Sequence, residues 1–206
     1  MIISQFLLID AGLAIAAIPL LIVSQGRNTS LFRSSNKEDS LEKTLYKLPS
    51  KIKLLELEKI AKVKGSGIEF NSLVGEWRFI SVWGKHTDKE DSVFSSLLRF
   101  FSATLAIKKN ISTMNAPNFS IRTSIKIGLF AIEFSGAGYL KGEQPILYFF
   151  LNLIEFKSGS SILLSRSLEE PIEKEKSFFE LIASERSGEW FSARGQGGAL
   201  LLWMKN

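Results

Sequence analysis

The first third of the chain is patterned for helices and the rest for strands. Residues 1–24 form an almost unbroken apolar run, MIISQFLLIDAGLAIAAIPLLIVS, close to the roughly 20 residues needed to cross a bilayer. Asp10 interrupts it, but the surrounding Leu, Ile, Phe and Val can outweigh a penalty of about 3 kcal/mol for one central carboxylate. This predicts an apolar membrane-associated helix, with spanning, lying in the interface and packing on the domain as its three possible placements. The polar residues 25–40 then read as a linker.

Residues 41–66 read as a basic helical segment. Ser40 is a candidate N-cap, and Pro49 ends or kinks the first helical stretch. In KIKLLELEKIAKVK, Ile52, Leu55, Ile60 and Val63 recur near helical spacing and Lys and Glu fill the other face, the pattern of a surface helix with a solvated charged side. The glycines at 65 and 67 break it.

From residue 73 the apolar period changes to two. In LVGEWRFISVW, alternation places Trp77, Phe79, Ser81 and Trp83 on one strand face and Arg78, Ile80 and Val82 on the other. In SVFSSLLRFFSATLAI, Phe94, Leu97, Leu98, Phe101 and Leu105 are helix-spaced before a β-rich end. NFSIRTSIKI alternates most cleanly, with Phe119, Ile121, Thr123, Ile125 and Ile127 on one side. Further strands are predicted at 129–135, 146–156, 161–167, 188–194 and 198–205, separated by SGAGYLKGEQP, KSGS and RGQGG. SLEEPIEKEKSFFELIAS reads as a charged loop with a short helix around Phe178, Phe179 and Leu181. Short strands punctuated by glycine turns predict a mainly β domain over 67–206, an antiparallel β-barrel or strongly curved sheet with one or two flanking helices and the N-terminal apolar helix.

Charge sharpens the picture. Residues 27–64 hold ten Lys and Arg against five Asp and Glu, while the rest of the chain balances, so the net +5 is confined to the stretch behind the apolar run. That placement suits anionic lipid head groups better than nucleic acid, which is not expected as a partner. The chain has no cysteine and one histidine, His86, which removes disulfides, thiolate metal sites, cysteine nucleophiles and most histidine templates. His86 with Asp88, Glu90 and Asp91 reads as a solvated loop. Gly136-x-Gly138 lacks the third glycine and the helix of a dinucleotide site. With no Gly-x-Ser-x-Gly or phosphate-binding loop either, the chain is not expected to be an enzyme.

Gly75-x-Trp77 at the head of the first strand resembles the opening motif of lipocalin-type barrels. Ala193-Arg194-Gly195-Gln196-Gly197-Gly198, followed by ALLLW, resembles the end of the plastid-lipid-associated proteins, or fibrillins. The resemblance covers about residues 73–204. It implies a lipocalin-like barrel of cyanobacterial or plastid type, attachment to thylakoids or lipid globules, and affinity for an isoprenoid lipid, quinone or carotenoid; if the apolar run spans, Arg27, Arg33 and Lys37 behind it set the cytoplasmic (stromal) side. It also implies barrel closure by Trp77 beneath Arg194, a guanidinium stacked on an indole.

The aromatic supply is large, with sixteen Phe and four Trp. Each of these is first of all a core residue. As a set, Trp77, Phe79, Trp83, Phe119, Phe130, Phe134, Tyr139 and Phe149 are candidates to line an apolar ligand site, with Arg122, Arg166 or Tyr139 to orient a head group. The expected function is non-catalytic binding of an isoprenoid lipid, quinone or pigment at or near a photosynthetic membrane. Its alternative is a structural or assembly factor for a membrane protein complex, with a filled, ligand-free barrel.

Overall fold

The computed structural model describes residues 48–84, 102–110, 119–142, 145–185 and 188–206. The expected helix at 1–24, the linker at 25–40, the start of the basic segment, His86 with its acidic neighbours, and the helix-spaced run from Phe94 to Phe101 lie outside the described residues.

Helix α1 spans Lys51–Lys64. Its N-terminus is capped by Ser50, whose hydroxyl accepts a hydrogen bond from the Lys53 N–H, satisfying one of the donors that a helix start leaves without a partner. Lys62 and Lys64 occupy the last turn, where the helix dipole favours cations. Gly65 ends it at φ 78°, its N–H donating to the Ala61 carbonyl, a conformation that side chains disfavour. A single turn, α2, follows at Phe70–Leu73.

Among the described residues nine strands follow: β1 (Gly75–Trp83), β2 (Thr104–Lys109), β3 (Phe119–Ile127), β4 (Phe130–Lys141), β5 (Ile146–Ser158), β6 (Ser161–Ser167), β7 (Ser177–Ser184), β8 (Trp190–Gly195) and β9 (Leu200–Lys205). All pair antiparallel in one sheet, in the order β4-β3-β2-β1-β9-β8-β7-β5-β6, with β4 also paired to β5. Following those pairings from β1 through β5 and back by β7, β8 and β9 returns to β1, so the sheet curves into a near-ring. Strand β5 makes this possible by its length. Its first residues, Ile146–Phe149, pair with β7, whereas Leu153–Ser158 pair with β6, and β4 runs beside both halves. The far ends of β3, β4 and β5, with β6, therefore project past the ring as an open sheet.

Among the described residues, two apolar clusters hold the fold. The larger lies on the inner face and includes Trp77, Phe79, Val82, Phe119, Phe149, Phe179, Phe191 and Trp203. The second lies between the sheet's outer face and α1, where Leu54 meets Ile80, Trp83, Ile182, Leu200, Leu202 and Met204.

Four sequence expectations are corrected here. In α1 the inward face is Leu54, Glu58 and Ala61, and Ile52, Ile60 and Val63 are exposed, the reverse of the simple amphipathic reading. In β1 a bulge between Phe79 and Ser81 adds a residue on one edge and flips the alternation. Val82 thereby turns inward, and Trp83 turns outward toward α1. Strand β4 continues through Gly136 and Gly138, where a turn was expected, because neighbouring strands approach too closely for a side chain. A Cβ on Gly138 would sit 2.5 Å from the Phe119 ring. Finally, Phe178, Phe179 and Leu181 lie on strand β7, a 3₁₀ turn at Glu173–Glu175 preceding it. Partners along both edges decide the state of this short apolar run against its local helical spacing.

Candidate hydrophobic site

Inside the ring the aromatic side chains interlock. Trp203 stacks on Phe191 at 4.7 Å and meets Phe179 at 5.3 Å and Phe79 edge-on at 6.1 Å. They leave a cavity of about 20 Å³, bounded by Phe79, Ala103, Thr104, Leu105, Ile121, Thr123, Phe149, Leu151, Phe179, Leu201 and Trp203. That is room for about one water molecule. Among the described residues of this wall, Thr123 turns its side chain to the interior, whereas Thr104 pairs with Ser124 on the other face, its hydroxyl 2.7 Å from Ser124 Oγ.

Of the residues singled out from sequence, Phe79 and Phe149 line this cavity. Trp77 is fully buried beside it, edge-on to Phe191 at 4.7 Å. Its indole N–H donates to the Leu73 carbonyl at 2.8 Å, so α2 and β1 are locked together at that end. Phe119 is buried and stacks on Phe70 of α2 at 5.7 Å.

Phe130 and Phe134 lie on the same inner face but beyond the cavity, on the projecting sheet. Strand register sets three rows across it. Thr123, Phe134, Ile154 and Arg166 form the first; Ile125, Ile132, Phe156 and Leu164 the second; Ile127, Phe130, Ser158 and Ser161 the third. Because cross-strand partners share a face, the apolar wall of the cavity runs out through Thr123 onto an open surface. There Phe130 stacks on Phe156 at 5.5 Å and Phe130 and Leu164 are exposed, with Leu129 exposed in the turn before β4; Ile162, opposite Lys157, is exposed on the other face, and Leu163 at the irregularity between them. An edge strand with exposed aliphatic residues on both faces, as in β6, is unusual for a soluble surface.

Trp83 and Tyr139 do not face this interior. The β1 bulge sends Trp83 to the α1 side. Tyr139 follows the inward Gly138, so alternation points it outward, where it stacks on Tyr148 at 5.3 Å with Lys176 Nζ 5.6 Å above its ring.

The expected cover of Trp77 by Arg194 is replaced by two separate contacts. Lys205 Nζ lies 5.5 Å from the Trp77 ring centroid. Arg194 instead reaches α1: its Nε donates to Glu58 Oε1 at 2.7 Å, its Nη2 donates to Glu58 Oε2, and its Nη1 donates to the Gly198 carbonyl at 2.7 Å. Lys62 Nζ adds an ion pair to Glu58 at 3.0 Å. Burial pushes the Glu58 carboxyl up, but the hydrogen bonds from Arg194 and Lys62 outweigh it and hold the pKa below its usual value. Glu58 and Lys205 were missed because nothing local marks a helix glutamate or a strand-end lysine as a partner of something distant in sequence.

A second charged group sits on the outer face of the projecting sheet. Lys157 Nζ lies 2.9 Å from carboxylate oxygens of both Glu133 and Glu155, and these hydrogen bonds raise the Lys157 pKa. Arg122 Nε lies 3.1 Å from Glu133, which places Arg122 on this face, away from the cavity. Arg166, by contrast, stands opposite Ile154 at the edge of the apolar rows.

Among the described residues no helix is long and apolar enough to cross a membrane, and no three His, Cys, Asp or Glu side chains are grouped to hold a metal ion. No protein-family model, curated protein or solved structure matches the chain.

Proposed function

We propose that the chain is a non-catalytic structural or assembly factor for a membrane protein complex. In this reading the near-ring is a lipocalin-like barrel filled by its own side chains, and the projecting apolar sheet meets a hydrophobic partner surface. The observation that carries it is the size of the cavity found inside the ring among the described residues, about 20 Å³, against the roughly 300–1,000 Å³ of pockets that enclose small-molecule ligands. The wall also has no carboxylate or imidazole among its described residues, so it offers no acid–base pair for catalysis. Membrane placement follows from the apolar run at 1–24 and the basic stretch behind it. The fibrillin resemblance of Gly75-x-Trp77 and of the 193–198 segment would make that membrane photosynthetic.

Solvent extraction of the protein purified from its native membrane, followed by mass spectrometry, tests this reading. A filled interior yields no stoichiometric hydrophobe. One isoprenoid lipid, quinone or carotenoid per chain would overturn it.

One feature favours a second reading, in which such a hydrophobe is held on the open sheet. The row Thr123, Phe134, Ile154 and Arg166 sets a cation at the end of an apolar track, the arrangement an amphiphile with a polar head would use.

A further inference from the structure

We propose that the outward face of α1 docks on an anionic lipid surface. This deepens the membrane placement proposed above and is independent of what fills the ring. The helix is apolar on two opposite sides. Leu54 and Ala61 are buried against the sheet, whereas Ile52 is 72% exposed, Ile60 51% and Val63 82%. At 100° per residue these three fall within about 80° of one another on the side turned away from the sheet. They have no packing role in the described structure.

The charges around them are strongly biased. Lys53 and Lys64 flank the aliphatic stripe on one side, and Lys51, Lys59 and Lys62 flank it on the other. Of the two acidic residues in the helix, Glu58 is turned inward to Arg194, and Glu56, which falls between Val63 and Ile60 around the helix, is paired with Lys53 at 3.2 Å. The outward surface is thus largely aliphatic along its centre, where Glu56 is neutralised by Lys53, and lysine-lined at both margins. An interfacial helix needs this distribution, with aliphatic side chains sinking to the head-group boundary and lysines reaching anionic phosphates. A peptide groove would supply the apolar contact alone, and a polyanion would leave Ile52, Ile60 and Val63 in water. The lipid surface answers both parts.

The absence of cysteine makes the test direct. Full-length Val63→Cys and, as a control on the sheet, Lys108→Cys are labelled with an environment-sensitive fluorophore. Each is mixed with vesicles of phosphatidylcholine alone or with equal parts of phosphatidylglycerol. The expected result is a blue shift at position 63 only, with the anionic vesicles only, reversed by high salt. Each Lys→Gln change at 53, 59 or 64 should weaken partitioning about fivefold, the factor equivalent to about 1 kcal/mol per basic residue near an anionic leaflet. Vesicle binding through the apolar run without a shift at position 63 would overturn the α1 proposal and leave the membrane placement standing. No vesicle binding at all would overturn both. A shift at position 63 produced by polyglutamate but not by vesicles would assign the face to an acidic protein instead.

Discussion

Arg194 and Glu58, 136 residues apart in sequence, form a two-armed ion pair that ties β8 to α1. Glu58 is only 6% exposed, so removing one partner leaves a charge with little water to turn to. Glu58→Ala and Arg194→Ala should each destabilise the fold by about 3 kcal/mol, and the double variant should cost much less than the sum. Urea unfolding of the four proteins measures the coupling. Additive costs would mean that the pair is decorative.

The same pair gives an acid limit. Glu58 titrates below its usual range when folded, so the unfolded chain binds the proton first as pH falls. Its contribution is complete above about pH 4.3 and is lost as pH drops through the folded value. The melting temperature should therefore fall between neutral pH and about pH 3, with a shallower slope in Glu58→Gln. Lys157 is shifted the other way, upward by Glu133 and Glu155. Its contribution is present below about pH 10.4 and is lost as pH rises through its folded value.

Trp77 and Trp83 should fail differently. Trp77→Ala removes the largest fully buried side chain and the donor to Leu73, and should cost about 4 kcal/mol of global stability. Trp83→Ala empties the layer beneath α1 and should first release the helix. Hydrogen exchange would then rise over residues 51–64 well before the inner strands respond.

Glycine substitutions should separate close approach from turn geometry. A Cβ at Gly136 would collide with the Phe150 carbonyl, which cannot move without shifting β5, so Gly136→Ala should cost about 3 kcal/mol or more. At Gly159, φ is +58° with open space around it, and Gly159→Ala should cost only about 1 kcal/mol. Thermal melts of the two variants check the order.

Much of the sheet is legible in the sequence where one face is buried and the other is wet. Strand β3 is the clearest case, with Phe119, Ile121 and Ile125 inward and Arg122 and Lys126 outward. What was misread has long-range causes. The second half of β1 is buried on both faces, so alternation carries no signal there and the bulge is invisible. In α1, two apolar faces compete, and the choice between them depends on Arg194 arriving from β8 to neutralise Glu58. Gly136 and Gly138 look like a turn because the close strand that requires them, β5, is not a local feature. For the candidate site, Phe79 was found by face, Trp83 was displaced by the β1 bulge, and Tyr139, read within the segment SGAGYLKGEQP between strands, lies on β4 with its ring outward.

The position of β1 has a further consequence, in time. One of its neighbours is β9, and Arg78 meets Met204 across 126 residues of sequence. At about 5–20 residues per second, a ribosome takes on the order of ten seconds to supply that neighbour after β1 has emerged. Throughout that interval a strand apolar on both sides has one edge unmet, the state in which nascent chains find wrong partners. The finished sheet gives β1 two neighbours; the growing one leaves it waiting until translation reaches Leu200.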